Sequence, residues 1–412
     1  MPYTLTDDEQ LIRKVVREFA QTGIGLEQAA DLDRHDRFPA QVLQAAAGLG
    51  LTALTLPTDL GGAGAGPTAY ALAIHELAKV CPNTAAVLAV HNGLGLRALL
   101  ANPALAAELA PKAAAGELFA VLATEEAHGS DVGGIGTSAV PAPAADGKGG
   151  QGYRITGQKV WGIAASDAKH FIVLANVTGP TSVPGPGGTA GKGGPTLLYL
   201  PASAEGVSLG HNEPLMGLRG AGIRTVYLSN VAVPESHRVG EIGDGLQLLR
   251  EARTWLQVGA AAAITGCVAG AFAAAAAFAA TRIQFGSPIG TYQAVSDGVT
   301  LIDVNVEASL ALTLAAAARL EGGNAAGVAG ATGEGDAPLW AARAKAFANE
   351  MAVPMTRQAI RIQGGTGFMR EGGTERFARD VRALWFVGET TQMQRDAIKR
   401  AVMPDIAFPA TP

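Results

Sequence analysis

Charge, aromatic rings and cysteine are all scarce in this chain, and each shortage excludes something. Only 16% of the 412 residues are charged, 5% are aromatic, and the formal net charge is −5 with no basic run. A nucleic-acid partner requires a basic stripe, so nucleic acid is not an expected ligand. The two cysteines, Cys81 and Cys267, stand far apart in the sequence. They offer neither metal-ligand spacing nor a disulfide framework, which fits a reducing, cytoplasmic setting. Low charge does not mean disorder here, because 48% of the residues are hydrophobic. Such a chain buries a large core, in about two or three domains or layers.

The first residues carry acid from Asp7 onward and lack the apolar segment of a secretory signal. One charge-free run, Thr254 to Thr281, is long enough to cross a bilayer. It is mostly Ala and Gly, with little transfer energy per residue. It is therefore expected as a helix buried among helices, not as a membrane span.

What is present divides into three parts. Residues 1–117 read as helical, with Thr6 and Glu9 as a capping box ahead of Leu11, Ile12, Val15, Val16 and Phe19 at helical spacing. Further helices are expected near Gln41–Gly50, Thr68–Val80 and Ala85–Ala101, and His91 is expected to pack or to bond a helix end. In residues 118–235 the period becomes that of strands: Phe119–Thr124, Tyr153–Ile155, Val160–Ile163, Phe171–Val177, Thr196–Leu200 and Thr225–Val233. These predict an antiparallel β domain with mobile loops over Pro141–Gly152 and Thr178–Pro195, both low in complexity. Over 236–412 the helical period returns, and Gly322–Pro338 links two helices. Helices, a β domain and a helical bundle make an α+β fold.

Chemistry is concentrated in a few segments. Gln363-Gly364-Gly365-Thr366-Gly367-Phe368 lets backbone approach a bulky ligand, since glycine lacks a Cβ. Gly388-Glu389-Thr390-Thr391-Gln392-Met393-Gln394-Arg395 opens a helix whose free N–H groups suit an anion or a flavin edge. Upstream lie Ala123-Thr124-Glu125-Glu126-Ala127-His128-Gly129-Ser130-Asp131 and Lys159-Val160-Trp161-Gly162-Ile163. Then come Met216-Gly217-Leu218-Arg219-Gly220 and Arg282-Ile283-Gln284-Phe285-Gly286-Ser287-Pro288-Ile289 with Gln293. An arginine fork suits a pyrophosphate, and a planar indole suits a face from which water is excluded.

In this order the segments resemble the signatures of the acyl-CoA dehydrogenase family, flavoproteins that remove two hydrogens across Cα–Cβ of an acyl thioester. The resemblance spans nearly the whole chain and implies FAD held between the β domain and the C-terminal bundle. It implies that Thr124, Gly129 and Ser130 border the flavin or substrate, that Trp161 packs on the ring, and that Arg282 meets the pyrophosphate. Phe285, Gln293, Gln363, Gly364 and Gly365 would touch the FAD of a neighbouring subunit, with Thr390 and Gln392 at the last turn. A homodimer or homotetramer follows, together with an acyl-CoA or acyl-carrier-protein substrate and an electron acceptor that no motif identifies. Ile163 stands where the family carries a hydroxyl, leaving only a backbone N–H for flavin N5, while Glu125 and Asp131 are read as setting a turn.

One requirement is unmet. A carboxylate must sit desolvated beside Cα to take its proton. The two positions the family uses for it are Gly388 and Leu256 in this chain, and the nearest acid is Glu389, one residue along. Three readings stay open: Glu389 serves as the base; the enzyme does desulfinase- or monooxygenase-like chemistry without α-deprotonation; or the chain is a non-catalytic subunit of a mixed oligomer. A one-residue shift turns a helical side chain by about 100°, so the direction of Glu389 decides between them.

Overall fold

A capping box opens the fold: the Thr6 amide donates to the Glu9 carboxylate at 2.7 Å and the Glu9 amide to the Thr6 hydroxyl at 3.2 Å. It starts α1 (Asp7–Glu18) in a computed structural model that describes residues 4–143, 150–178, 193–322 and 337–408. Helices α2 (Gly25–Arg34), α3 (Ala40–Gly48), α4 (Pro67–Ala78), α5 (Pro82–Val90), α6 (Arg97–Leu99) and α7 (Pro103–Ala114) follow. The helix expected over Ala85–Ala101 is widened at His91–Leu96 into a π-type turn. There Asn92 accepts from the Leu54 and Thr55 amides at 3.0 and 3.3 Å and donates to the Leu51 and Leu88 carbonyls. His91 accepts the Phe119 amide at Nδ1 and meets the Thr52 carbonyl through Nε2 at 2.6 Å. Burial pushes this ring down to about 4, so it stays neutral and acts in packing.

Strands β1 (Phe119–Leu122), β2 (Ser138–Pro143), β3 (Gln151–Gly162), β4 (His170–Val177), β5 (Gly194–Pro201), β6 (Val207–Asn212), β7 (Arg224–Pro234) and β8 (Arg238–Val239) form one sheet. Its order is β6-β7-β3-β2-β4-β5-β8, with β1 on β4. Pairing is antiparallel apart from β1–β4 and β2–β4, which are parallel because long connections separate those strands. The two runs expected at 153–155 and 160–163 are one strand, β3, with register shifts at Ile155/Gly157 and Lys159/Gly162. Strand β2 runs into the loop expected over Pro141–Gly152, ending at Pro143. It pairs with β4 only at Ser138 and Ala139, so both prolines lie where that side of the strand is free. The remainder of the three low-complexity segments (144–149, 179–192 and 323–336) lies outside the described residues.

The last part holds α8 (Gly245–Thr281), the short pair β9 (Ile283–Gln284) and β10 (Ser287–Pro288), α9 (Gln293–Gly322) and α10 (Ala337–Gln363). It closes with α11 (Gly365–Phe368), α12 (Thr374–Leu384) and α13 (Thr391–Val402). Helix α8, about 55 Å long from its rise, packs on α4, α9, α10 and α12. Both α8 and α9 are long and apolar enough to cross a membrane, yet 67% of the most apolar window of α8 is buried inside the protein. Glycine permits this closeness: a Cβ on Gly266 would stand 2.2 Å from the His75 carbonyl oxygen of α4.

Gly266→Val should therefore force α4 and α8 apart and cost about 1–3 kcal/mol, read as a lowered thermal midpoint. Gly48→Ala, where a Cβ meets nothing within 4 Å, should leave the midpoint nearly unchanged.

Candidate active site

Two regions carry the predicted site residues, and the first is built on the sheet. The Thr124 carbonyl accepts the Val160 amide at 3.0 Å, which brings the loop after β1 alongside the strand that bears Trp161. Glu125 holds that loop. Its carboxylate accepts from the fully buried Lys159 at 2.8 Å, the Thr137 hydroxyl at 2.6 Å and the Gly136 amide at 2.7 Å. Burial alone would raise the carboxyl, but these donors outweigh it and bring it down to about 2. Glu125 is thus a structural anion, as the turn-setting reading expects. The amide and carbonyl of His128 exchange 3.1 Å bonds with those of Glu125, a tight turn that leaves Gly129 and Ser130 exposed. The second register shift of β3 sets Trp161 at φ 56° with 54% of it exposed, a planar ring at the protein surface. Ile163 instead packs its side chain on the core.

The second region is the turn between α12 and α13, lying on α8. A Cβ on Gly388 would stand 3.5 Å from Leu256 Cγ, so the family's two base positions meet at one corner. Glu389 reaches that corner from a backbone with φ 83°, a strained conformation that costs about 1–3 kcal/mol. One carboxylate oxygen pairs with the Arg253 guanidinium, and the other accepts Gln257 Nε2 at 3.0 Å. Arg253, Leu256 and Gln257 are spaced i, i+3 and i+4, so they share one face of α8. Burial, helped by nearby Arg250, lowers Arg253 to about 10, which leaves it charged at neutral pH.

The turn itself is pinned from beneath. Lys345 of α10, fully buried, donates to Asn349 Oδ1 at 2.8 Å and to the Trp385 carbonyl at 3.1 Å. Asn349 in turn donates to the Thr391 hydroxyl at 2.9 Å, and Gln394 to the Gly388 carbonyl at 3.1 Å. Thr390 stands at the N-cap of α13 without a side-chain capping bond, and Gln392 is exposed in its first turn.

The remaining predicted residues lie elsewhere. Arg282 ends α8, Phe285 projects with 96% of its surface exposed at φ 50°, and exposed Gln293 begins α9. The 26 steps of helical rise from Leu256 to Arg282 set them about 39 Å from the Glu389 corner. Gln363 differs from expectation: its side chain is buried and bonded to the Thr374 hydroxyl at 2.8 Å, since a buried amide must find partners. Gly364 and Gly365 remain open, and a Cβ on either would meet nothing within 4 Å.

Arg253, Gln257, Lys345 and Asn349 were not anticipated. Two of them leave a trace in sequence: Arg253 is the last charge before the neutral run of α8, and Lys345 interrupts the apolar stripe Ala341, Ala344, Ala348 and Ala352.

Three family profiles match the chain in succession: the acyl-CoA dehydrogenase N-terminal domain over residues 6–117, the middle domain over 120–231 and the C-terminal domain over 243–403. The "Probable acyl-CoA dehydrogenase YngJ" of Bacillus subtilis is 32% identical over 98% of this chain and 100% of its own. The cyclohex-1-ene-1-carbonyl-CoA dehydrogenase of Syntrophus aciditrophicus is 30% identical over 97% of this chain and 91% of its own. Among solved structures, butyryl-CoA dehydrogenase from Megasphaera elsdenii superposes with a TM-score of 0.86 at 25% identity, covering 98% of this chain and 100% of that one.

Burial brings Lys345 to about 7, below its unfolded value, so between about pH 7 and 10.4 the unfolded chain binds the extra proton. Stability from this group therefore rises with pH across that window. Lys345→Met should flatten the rise in denaturation midpoints measured from pH 7 to 10; an identical slope would show that Lys345 does not titrate there.

Proposed function

The chain belongs to the acyl-CoA dehydrogenase family, and from that premise we propose an FAD-dependent desaturation of an acyl thioester with Glu389 as the α-proton base. The thioester is carried on CoA or on an acyl carrier protein. The observation that carries the assignment is the corner on α8: Gly388 abuts Leu256, and the Glu389 carboxylate is bonded to Gln257, the neighbour of Leu256.

FAD fits the residues present. The exposed Trp161 ring and the open backbone at Gly129, Gly364 and Gly365 offer planar contact and close approach. When bound, FAD supplies the acceptor for the hydride that leaves Cβ. Glu389 takes the proton from Cα, and the electrons of that C–H bond become the Cα=Cβ bond. Trp161 covers the reacting face and excludes water, while Thr124 and Ser130 border it. Ile163 offers only its backbone N–H at the place it occupies.

The distance along α8 supports a second copy of the chain. Arg282, Phe285 and Gln293, with the Gln363–Gly365 backbone, would serve the FAD of a neighbouring protomer in a homodimer or homotetramer. Exposed apolar side chains of this bundle, Ile283, Phe285, Leu301, Val304, Phe368 and Phe386, suit burial against that copy. Domain limits of 1–117, 118–235 and 236–412 and a cytoplasmic location belong to the same reading.

One observation favours a second reading. The Arg253 pair engages the Glu389 carboxylate, as chemistry without α-deprotonation would tolerate. A panel of saturated acyl-CoAs should bleach the flavin under anaerobic conditions. Glu389→Gln should slow that bleaching by about 10²–10⁴-fold with flavin content retained. Unchanged bleaching in the variant removes Glu389 from the mechanism and leaves the second reading.

A further inference from the structure

We propose that Arg253 is the positioning residue for Glu389, aiming a carboxylate one place out of register at the Leu256 corner and holding it as the anion until the thioester enters. The inference rests on Glu389 being the base.

The geometry requires such a residue. A positive-φ glutamate between Gly388 and Thr390 has no preset direction for its side chain. Here two donors one turn apart on α8 take one oxygen each, Arg253 on one side of Leu256 and Gln257 on the other. The carboxylate is thereby drawn to the spot that both ordinary base positions would reach. Arg253 alone among these donors carries charge.

The other charges around the turn are accounted for. From α8, Arg250 adds positive field to Arg253. From α10, Lys345 is bonded to Asn349 and to the carbonyl oxygens of Leu384 and Trp385. On α13, Arg395 pairs with Glu350 at 3.0 Å and Asp396 pairs with Lys399. From α6, Arg97 lies 4.4 Å over the Trp255 ring. Among the described residues only Arg253 makes an ion pair with Glu389.

A guanidinium in contact favours the charged carboxylate and weakens it as a base, typically by about 1–3 pH units. Arg253 therefore trades basicity for aim. One partner on each oxygen leaves lone pairs free on both, so the carboxylate can meet the Cα proton while α8 holds its direction.

The test is the acid limb of kcat/KM against pH for one saturated acyl-CoA, with flavin content and thermal midpoint measured in parallel. In Arg253→Gln the limb should move up by about 1–3 units and kcat should fall, while flavin content holds. Arg253→Lys, which keeps the charge, should return the limb at least halfway. Arg253→Met takes the place of the glutamine variant if that one does not fold. A limb unmoved in the neutral variant, with Glu389→Gln inactive, overturns the role of Arg253 and leaves the base assignment standing. Turnover by Glu389→Gln at the unaltered rate overturns both.

Discussion

The position of the α12–α13 turn against α8 is the constraint from which the rest of the site follows. It is held by the buried ammonium of Lys345, which donates to Asn349 and to the Leu384 and Trp385 carbonyls. Those carbonyls end α12, where the chain has run out of intrahelical donors and partial negative charge collects. An ammonium there answers both needs at once, and desolvation is the opposing cost, which draws Lys345 toward neutrality. Asn349 carries the connection on to Thr391, so the two helices are tied together across the turn that carries Gly388 and Glu389.

A second junction keeps that turn in register with the other two layers. Arg379 of α12 pairs with Asp33 of α2 at 2.6 Å and donates to the Met216 carbonyl at 3.1 Å. Its neighbour Asp380 accepts the Leu218 amide at 2.8 Å. Burial raises Asp380 to about 6, and Arg376 opposes that rise. Gly217 is needed here because a Cβ would stand 2.3 Å from the Arg379 carbonyl oxygen. The segment 216–220 thus touches helices from both ends of the chain, which is why a glycine-Arg passage out of the sheet accompanies a distant helical signature in the same sequence.

Local chemistry was legible and long-range pairing was not. The capping box at Thr6, the change of period at Phe119 and the open glycines at 364 and 365 all express themselves within a few residues, where periodicity and turn chemistry are informative. Strand β2 was hidden because prolines argue against strands, and only the short overlap with β4 excuses them. The inward turn of Gln363 depends on Thr374, and the ion pair of Glu389 on a helix that begins more than a hundred residues earlier. No period in a single sequence encodes those distances. Ordered motifs did point to the fold, but they could not say which way one glutamate faces.

That glutamate sets the final point. Exchanging the order of a glycine and an acid at 388–389 moves the carboxylate off its usual Cα and puts a Cβ on a positive-φ backbone. Strain of about 1–3 kcal/mol must then be offset by contacts of the side chain. Arg253 and Gln257 provide them. Leu256 lies between the two donors and against Gly388, so the apolar surface that desolvates a base is still present at the corner. In the proposed role of Glu389 as base, reach would come from the backbone, aim from Arg253, and desolvation from Leu256. On that reading a carboxylate out of register can serve the same carbon without leaving its two donors, since one partner on each oxygen leaves acceptor sites free.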